Sequence, residues 1–380
     1  MVKISDIKEL APKIAMYKLA HARLIKPPMP INLTFSVTSA CQSLCKTCNI
    51  GLVYQKSPSI AKNDLKLDEI EKIFMSIGHV YFFNISGGEP FLRTDLPEII
   101  GLGCKYLTPK VIHTPTNSLA PAVIEKKTRE IMEIIKKYNP KVPFTIKPSF
   151  DGIGEKHDEV RGVKGNFKKL METISRLKSL QKEYNNLDVG LGTVISKFNY
   201  NDVEEIMEYA KKLDVDSYIN EIAENRSEYF NMKEDITPPP EIYEEVVRYF
   251  ANEIRKDIKK RKRLTKYTQA FRLVYYDLVS EMMKRKKQII PDYSGIANGH
   301  ISSQGQVWAN SFLGYDMPLG NLRESDYDFK KIWHSKKAEK VREYIRTDTN
   351  YYCPIANVAY TNILMNNKAM IKVLKNMLFN

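Results

Sequence analysis

The strongest constraint in this chain is the run Cys41-Gln42-Ser43-Leu44-Cys45-Lys46-Thr47-Cys48, three cysteines at C-x3-C-x2-C spacing directly after the apolar stretch Ile31–Val37. Three thiolates on one short loop hold a soft metal centre and leave it one protein ligand short, open to exogenous chemistry. A structural zinc site needs a fourth ligand, normally from a second Cys or His pair, and no such pair is present. The other two of the five cysteines, Cys104 and Cys353, are isolated. A disulfide framework is therefore disfavoured, since a chain of this length builds a core without staples. An iron–sulfur site is the reading that the spacing favours.

At 380 residues and 43% hydrophobic content, the chain suits one large α/β domain with an appendage, or two domains. No apolar run reaches the roughly 18 residues of a membrane span, and the N-terminus lacks a signal-peptide pattern. A reducing cytoplasmic setting is expected, and it suits exposed thiolates. Lys and Arg outnumber Asp and Glu by 59 to 45, a net +14 that favours anionic partners without choosing among them. Residues Ile7 to Lys26 read as a basic amphipathic helix ended by Pro27-Pro28, and Lys368 to Phe379 repeat that character. Each either packs its apolar stripe on its own domain or makes peripheral membrane contact.

From Ile31, short β-type runs alternate with helical patterns, which argues parallel β/α units. The expected strands are Ile31–Val37, Val80–Ser86, Lys110–Thr114, Phe144–Phe150, Asp188–Ile195 and Asp216–Ile222. Helices are expected near Leu67–Ile77, Leu96–Lys105, Ala122–Tyr138, Asn166–Tyr184 and Val203–Leu213. Such a pattern makes an open barrel or a doubly wound sheet, and both bind ligands where the strands' carboxyl ends converge. The cysteine loop is one such end. Ser86-Gly87-Gly88-Glu89-Pro90 is the next; its glycines admit close backbone approach, and Glu89 offers a carboxylate to an ammonium group. After Pro238-Pro239-Pro240 a helical stretch carries the basic run Arg255–Arg263, read as a solvated face or a patch for an acidic partner. It lacks the interleaved aromatics of a stacking platform, which disfavours nucleic acid as a partner.

The pair C-x3-C-x2-C and G-G-E-P resembles the radical S-adenosylmethionine (radical SAM) superfamily over roughly Ile31 to Glu224, with Thr47 where many members carry an aromatic residue. The resemblance implies an α/β fold, a partial (β/α)6 TIM-like barrel with a small α+β C-terminal extension. It implies a [4Fe–4S] cluster on Cys41, Cys45 and Cys48 that chelates SAM, whose reductive cleavage yields a 5′-deoxyadenosyl radical. Gly87, Gly88 and Glu89 would bind the methionine amino group, Ser149 the ribose and Arg161 the carboxylate. Asn117, in a T-N-S turn where the family has T-N-G, and Val194, at the end of the fifth strand, complete the expected cofactor wall. Asp151 of Ser149-Phe150-Asp151-Gly152 either stabilises its loop or faces substrate, and Arg161 has a structural alternative, holding its loop.

The segments Gly299–Trp308, Gly320-Asn321-Leu322 and Ile332–Ser335 resemble the SPASM/twitch extension of this superfamily, which usually carries auxiliary-cluster cysteines. Here Asp292 and Asn310 fall near two of those positions and only Cys353 remains, so the extension is read as cluster-free, closing the barrel. The expected layout is an N-terminal amphipathic helix (1–30), the barrel (31–237), a helical connector (238–290) and the degenerate extension (291–380). A ferredoxin or flavodoxin would supply the electron, and the substrate would be a peptide, a small molecule or a lipid-linked molecule. The competing reading is a non-catalytic metal-binding or interaction protein on a decayed scaffold.

Overall fold

The computed structural model describes residues 4–258 and 263–379. An N-terminal helix α1 (Ile4–His21) precedes a run of parallel β/α units. These are β1 (Asn32–Ser36), α2 (Ile50–Lys56), α3 (Leu67–Ile77), β2 (Phe82–Ser86), α4 (Leu96–Leu102), β3 (Val111–Thr116), α5 (Pro121–Tyr138) and β4 (Phe144–Pro148). They continue through α6 (Glu155–Arg161), α7 (Asn166–Gln181), β5 (Leu187–Ile195), α8 (Val203–Lys212) and β6 (Ser217–Ile222). Two long helices, α9 (Pro240–Asp257) and α10 (Arg263–Arg285), lead to β7 (Asn298–Ile301), β8 (Gln306–Trp308) and β9 (Gly320–Asn321). Helices α11 (Phe329–Trp333), α12 (Lys336–Thr347), α13 (Ala356–Met365) and α14 (Asn367–Phe379) follow. Of the basic run Arg255–Arg263, residues 259–262 lie outside the described residues.

The sheet order is β6-β5-β4-β3-β2-β1-β7-β8-β9, with β1 to β7 parallel and β7-β8-β9 antiparallel. Period-two alternation sorts each strand into two faces. Leu33 and Phe35 of β1 and Phe83 and Ile85 of β2 point outward to α3, where Phe74 meets Phe35 and Phe83 edge-on at 5.6 and 5.5 Å. The inward residues of β1 are polar: Asn32, Thr34 and Ser36. Helix α3 starts where the Glu69 carboxylate accepts from the Lys66 amide at 2.7 Å, and Arg323 and Tyr327 from the far end of the chain also bind that carboxylate.

This is a partial, TIM-like barrel, an open sheet with a C-terminal extension, and all six anticipated barrel strands are present within a few residues of their expected bounds. The extension does not close it. Strand β7 pairs in parallel with β1, Thr34 opposite His300, so the hairpin prolongs the sheet instead of bridging β1 to β6. Helix α13 lies over the inner face of β1, with Asn357 donating to the Thr34 hydroxyl at 3.1 Å and Asn32 donating to Thr361 at 3.3 Å. At the other edge α10 meets β6, Arg272 donating to the Asn220 carbonyl at 2.8 Å. Helix α1 packs Tyr17 and Ala20 on Ile31, Tyr293 and Met365, so part of its apolar stripe is buried in the fold.

Ser118, just after β3, is buried at φ 64°, a left-handed conformation that disfavours any side chain, and its hydroxyl finds no partner among the described residues. Ser118→Gly is expected to stabilise the protein by about 1 kcal/mol, read as a thermal midpoint about one degree higher. An unchanged or lower midpoint would contradict that account of the turn.

Candidate functional site

The cysteine loop has no strand or helix of its own before α2, so its course is set by what packs on it. Three glycines do so through the side chain they lack. A Cβ on Gly51 would lie 1.7 Å from the Ser43 carbonyl oxygen, one on Gly88 2.1 Å from that of Ala40, and one on Gly162 2.1 Å from that of Leu44. Backbone bonds complete the cradle: Gly88 and Glu89 amides donate to Thr38 and Ala40 carbonyls, each at 2.8 Å, and the Lys46 amide donates to Val160 at 3.0 Å. Gly87 sits at φ 116°, which only glycine adopts readily.

Glu89 is wholly enclosed, and most of its hydrogen-bonding capacity is taken up by the fold. Its carboxylate accepts from the amides of Phe91 (3.1 Å) and Asn117 (2.6 Å) and the hydroxyl of Thr116 (2.9 Å), tying the ends of β2 and β3 together. A carboxylate offers about four lone-pair positions, so about one is left, on the oxygen facing Asn117. Asn117 in turn reaches Cys41 Sγ with its Nδ2 at 4.0 Å.

On the other side of the loop, Asp151 binds β5 and α6 at once. It accepts from the Val194 amide at 2.8 Å and from Arg161 Nη1 at 3.1 Å, which makes it a positioning group for its loop. Arg161 is deeply set beside Cys45 and Cys41, and its Nε has no partner among the described residues. Ser149 bridges to Gly192 of β5 through the backbone, and its hydroxyl bonds nothing among the described residues. Thus Gly87, Gly88, Glu89 and Asn117 meet round Cys41, Arg161 stands by Cys41 and Cys45, and Ser149 and Val194 lie further along the strand ends.

Several groups here were not anticipated. Ser36 donates to Glu228 at 2.9 Å and contacts His300 Nε2 at 2.8 Å, joining β1, the segment after β6 and the hairpin. Trp308 lies 4.9 Å from the His300 ring, and Tyr315 meets Trp308 edge-on at 4.8 Å. Arg226 pairs with Glu224 at 2.6 Å, both buried, and Asn231 donates to the Thr47 carbonyl at 2.8 Å. Glu224, Arg226, Glu228 and Asn231 lie in the segment after β6, where nothing in their spacing marks them, while Ser36, His300 and Trp308 sit on strands brought together only by the tertiary fold. In the extension, Tyr351 donates to Asp292 at 2.9 Å while Asn310 donates to Tyr351 at 2.8 Å and to Ser294 at 2.9 Å. The two positions that resemble lost cysteines are thus knitted together, with Cys353 fully buried close by.

The donor set fits an iron–sulfur cluster. Burial and the Cys45 thiol beside it push Cys41 up to about 12, and burial and Cys45 likewise raise Cys48, so three charged thiolates need a cationic centre. Three thiols on one short loop fit an iron–sulfur cluster that keeps one iron open to an exogenous ligand.

Residues 35–216 match the Radical SAM superfamily. The chain carries a radical SAM domain. That superfamily uses a [4Fe–4S] cluster and SAM. The chain is 21% identical over 378 residues to the antilisterial bacteriocin subtilosin biosynthesis protein AlbA of Bacillus subtilis, covering 97% of this chain and 75% of AlbA. It is 24% identical over 329 residues to an AdoMet-dependent heme synthase of Methanosarcina barkeri, covering 83% and 85%. Among solved structures, SuiB of Streptococcus suis bound to S-adenosylmethionine superposes with a TM-score of 0.60 at 16% identity, covering 92% of this chain and 77% of SuiB. SuiB bound to precursor peptide SuiA superposes at 0.59, with 16% identity and 88% and 71% coverage. Both share the fold of this radical SAM domain and its extension.

The glycine cradle makes a direct prediction. In Gly88→Ala the new methyl collides with the Ala40 carbonyl and with Cys41 Cβ, 3.1 Å away. Iron retained per chain after anaerobic reconstitution is expected to fall severalfold with the far-ultraviolet dichroism unchanged; full iron loading would show that the loop tolerates displacement.

Proposed function

We propose that this protein is a radical SAM enzyme that modifies a peptide, with Cys41, Cys45 and Cys48 holding its one cluster. The observation that carries this is the meeting of the cysteine loop, Gly87-Gly88, Asn117 and Arg161 at neighbouring strand ends round an inward polar face. AlbA and the SuiA-bound SuiB among its relatives support a peptide substrate. When bound, the cluster and SAM supply homolytic cleavage of the sulfonium and a radical that abstracts hydrogen from substrate.

The chain's own residues do the rest. Gly87 and Gly88 leave backbone groups beside Cys41 free to meet the methionine ammonium, with the remaining lone pair of Glu89 as a further acceptor. Arg161, oriented through Asp151, has donors left for the methionine carboxylate. The Ser149 hydroxyl is unengaged and suits the ribose, with Val194 as an apolar wall. The knitted Asp292–Tyr351–Asn310 positions support an extension without a cluster of its own, and hence a redox-neutral outcome and an external electron from a ferredoxin or flavodoxin, drawn to the basic surface.

Peripheral contact with an anionic bilayer accompanies this reading. No described helix is long and apolar enough to cross a membrane. On α14, however, Ile371, Leu374 and Leu378 form an exposed stripe at helical spacing, 72% exposed at Leu378. Lys368, Lys372 and Lys375 lie on the same helix, which has no acidic residue. Lys18 of α1 bonds Asn367 at 2.7 Å, bringing the exposed Met16 and Leu19 close to that helix.

Two experiments test these readings. Anaerobically reconstituted protein, with about four irons per chain, is expected to convert SAM to 5′-deoxyadenosine under dithionite. Cys45→Ala should abolish this, and Arg161→Met should weaken SAM binding about 10- to 100-fold, as loss of a charge-assisted pair does. A colourless, zinc-loaded protein with no SAM cleavage would overturn the enzyme. In co-sedimentation, vesicles rich in phosphatidylglycerol should carry the protein down and pure phosphatidylcholine should not; a Leu374→Glu/Leu378→Glu variant that sediments equally well refutes the membrane face.

A further inference from the structure

Beneath the strand ends, the C-terminal part of the chain covers one side of the lumen. Helix α13 covers the inner face of β1 through Asn357 and Thr361. Across β3 to β6, the inward side chains include a lysine. Lys147 of β4 stands opposite Pro115 of β3, and two residues on, Ser149 bridges to Gly192 of β5. Both Lys147 and Ser149 therefore face inward, separated by about 6.6 Å along the strand. The β5 residue beside Lys147 is also glycine, and a Cβ there would lie 3.3 Å from Lys147 Cγ and 2.6 Å from Ser217 Oγ. Glycine inside a strand marks close approach of a ligand or another chain segment, and here two flank the inner face next to Lys147 and Ser149.

We propose that Lys147 anchors the substrate, its ammonium binding an anionic oxygen group, carboxylate or phosphate, one layer below Ser149 in the lumen. The ammonium makes no hydrogen bond or ion pair among the described residues. Glu221 on β6 is the carboxylate that acts on it, and Arg272 from α10 opposes with a second positive charge. His113, inward on β3, has an Nε2 with no partner among the described residues, a further donor for the same ligand in the tautomer that carries its proton there. Burial first, then the balance of Glu221 against Arg272, brings the Lys147 amine down to about 8. It is thus largely charged at neutral pH, poorly solvated, and stabilised by any anion that reaches it. A carboxylate is what a peptide offers from a side chain or terminus, and a phosphate what a phosphorylated metabolite offers.

This assignment rests on the radical SAM reading, and its test is independent of turnover. Trace acetylation of the full, reconstituted chain, followed by peptide mass spectrometry, is run with glutarate, with inorganic phosphate and with chloride at equal ionic strength. Lys147 labelling is expected to slow severalfold with one probe and not with chloride; glutarate protection assigns a carboxylate ligand, phosphate protection a phosphorylated one. The protecting probe should also raise the thermal midpoint of the native chain and of Lys147→Arg but not of Lys147→Met. Labelling indifferent to both probes, or a midpoint shift that persists in Lys147→Met, overturns the assignment. SAM cleavage measured on the same preparation separates the two failures: cleavage without protection removes only the role of Lys147.

Discussion

Close backbone packing on the cysteine loop is the constraint on which the site depends. A loop without its own hydrogen-bond ladder is ordered only by its surroundings, and here the surroundings arrive through missing side chains at Gly51, Gly88 and Gly162. These belong to α2, to the turn after β2 and to the end of α6, so three separate β/α units must be in register before the thiols are placed. Gly162 shows the link most plainly. At φ 67° it caps α6 directly after Arg161 and presses on the Leu44 carbonyl, so one residue fixes both the arginine's helix and the loop.

Two buried carboxylates extend the same logic outward. Glu89 joins the ends of β2 and β3, and Asp151 joins those of β4 and β5 and steers Arg161. An acid at a strand end invites a reading as a ligand, but a carboxylate out of water needs donors, and backbone amides are the nearest ones. Their first role is to hold the strand ends at a common level, and that level is where Cys41, Asn117 and Arg161 meet.

This explains what was legible in the chain. The barrel strands and most of their helices follow from local alternation and helical spacing; Leu67–Ile77 agrees residue for residue. Short helices such as α2 and α6, each seven residues, give too little periodicity to stand out. Cys41, Cys45 and Cys48 are adjacent in sequence, so their proximity was readable. The contact of Ser36 with His300 spans 264 positions and has no local signature. The same holds for α13 against β1, where Asn357 meets Thr34 across 323 positions. The expectation that the extension closes the barrel failed for a related reason: a hairpin is recognisable locally, but the edge it joins is a tertiary choice.

That choice makes the extension part of the site. Because β7 lies beside β1, His300 faces the lumen next to Ser36, one strand from the cysteine loop, with Trp308 on the antiparallel neighbour backing its ring. The hairpin is anchored below by Asp292, Tyr351 and Asn310, buried polar groups that satisfy one another. A covalent metal cluster and a closed hydrogen-bond network solve the same problem, pinning irregular backbone under a small hairpin, but they differ in tolerance. Removing the Tyr351 hydroxyl leaves Asp292 and Asn310 both short of a partner in an enclosed space, so the network holds only as a unit. Its integrity, passed through β7 to His300 and Ser36, connects the far end of the chain to the loop that carries the thiols.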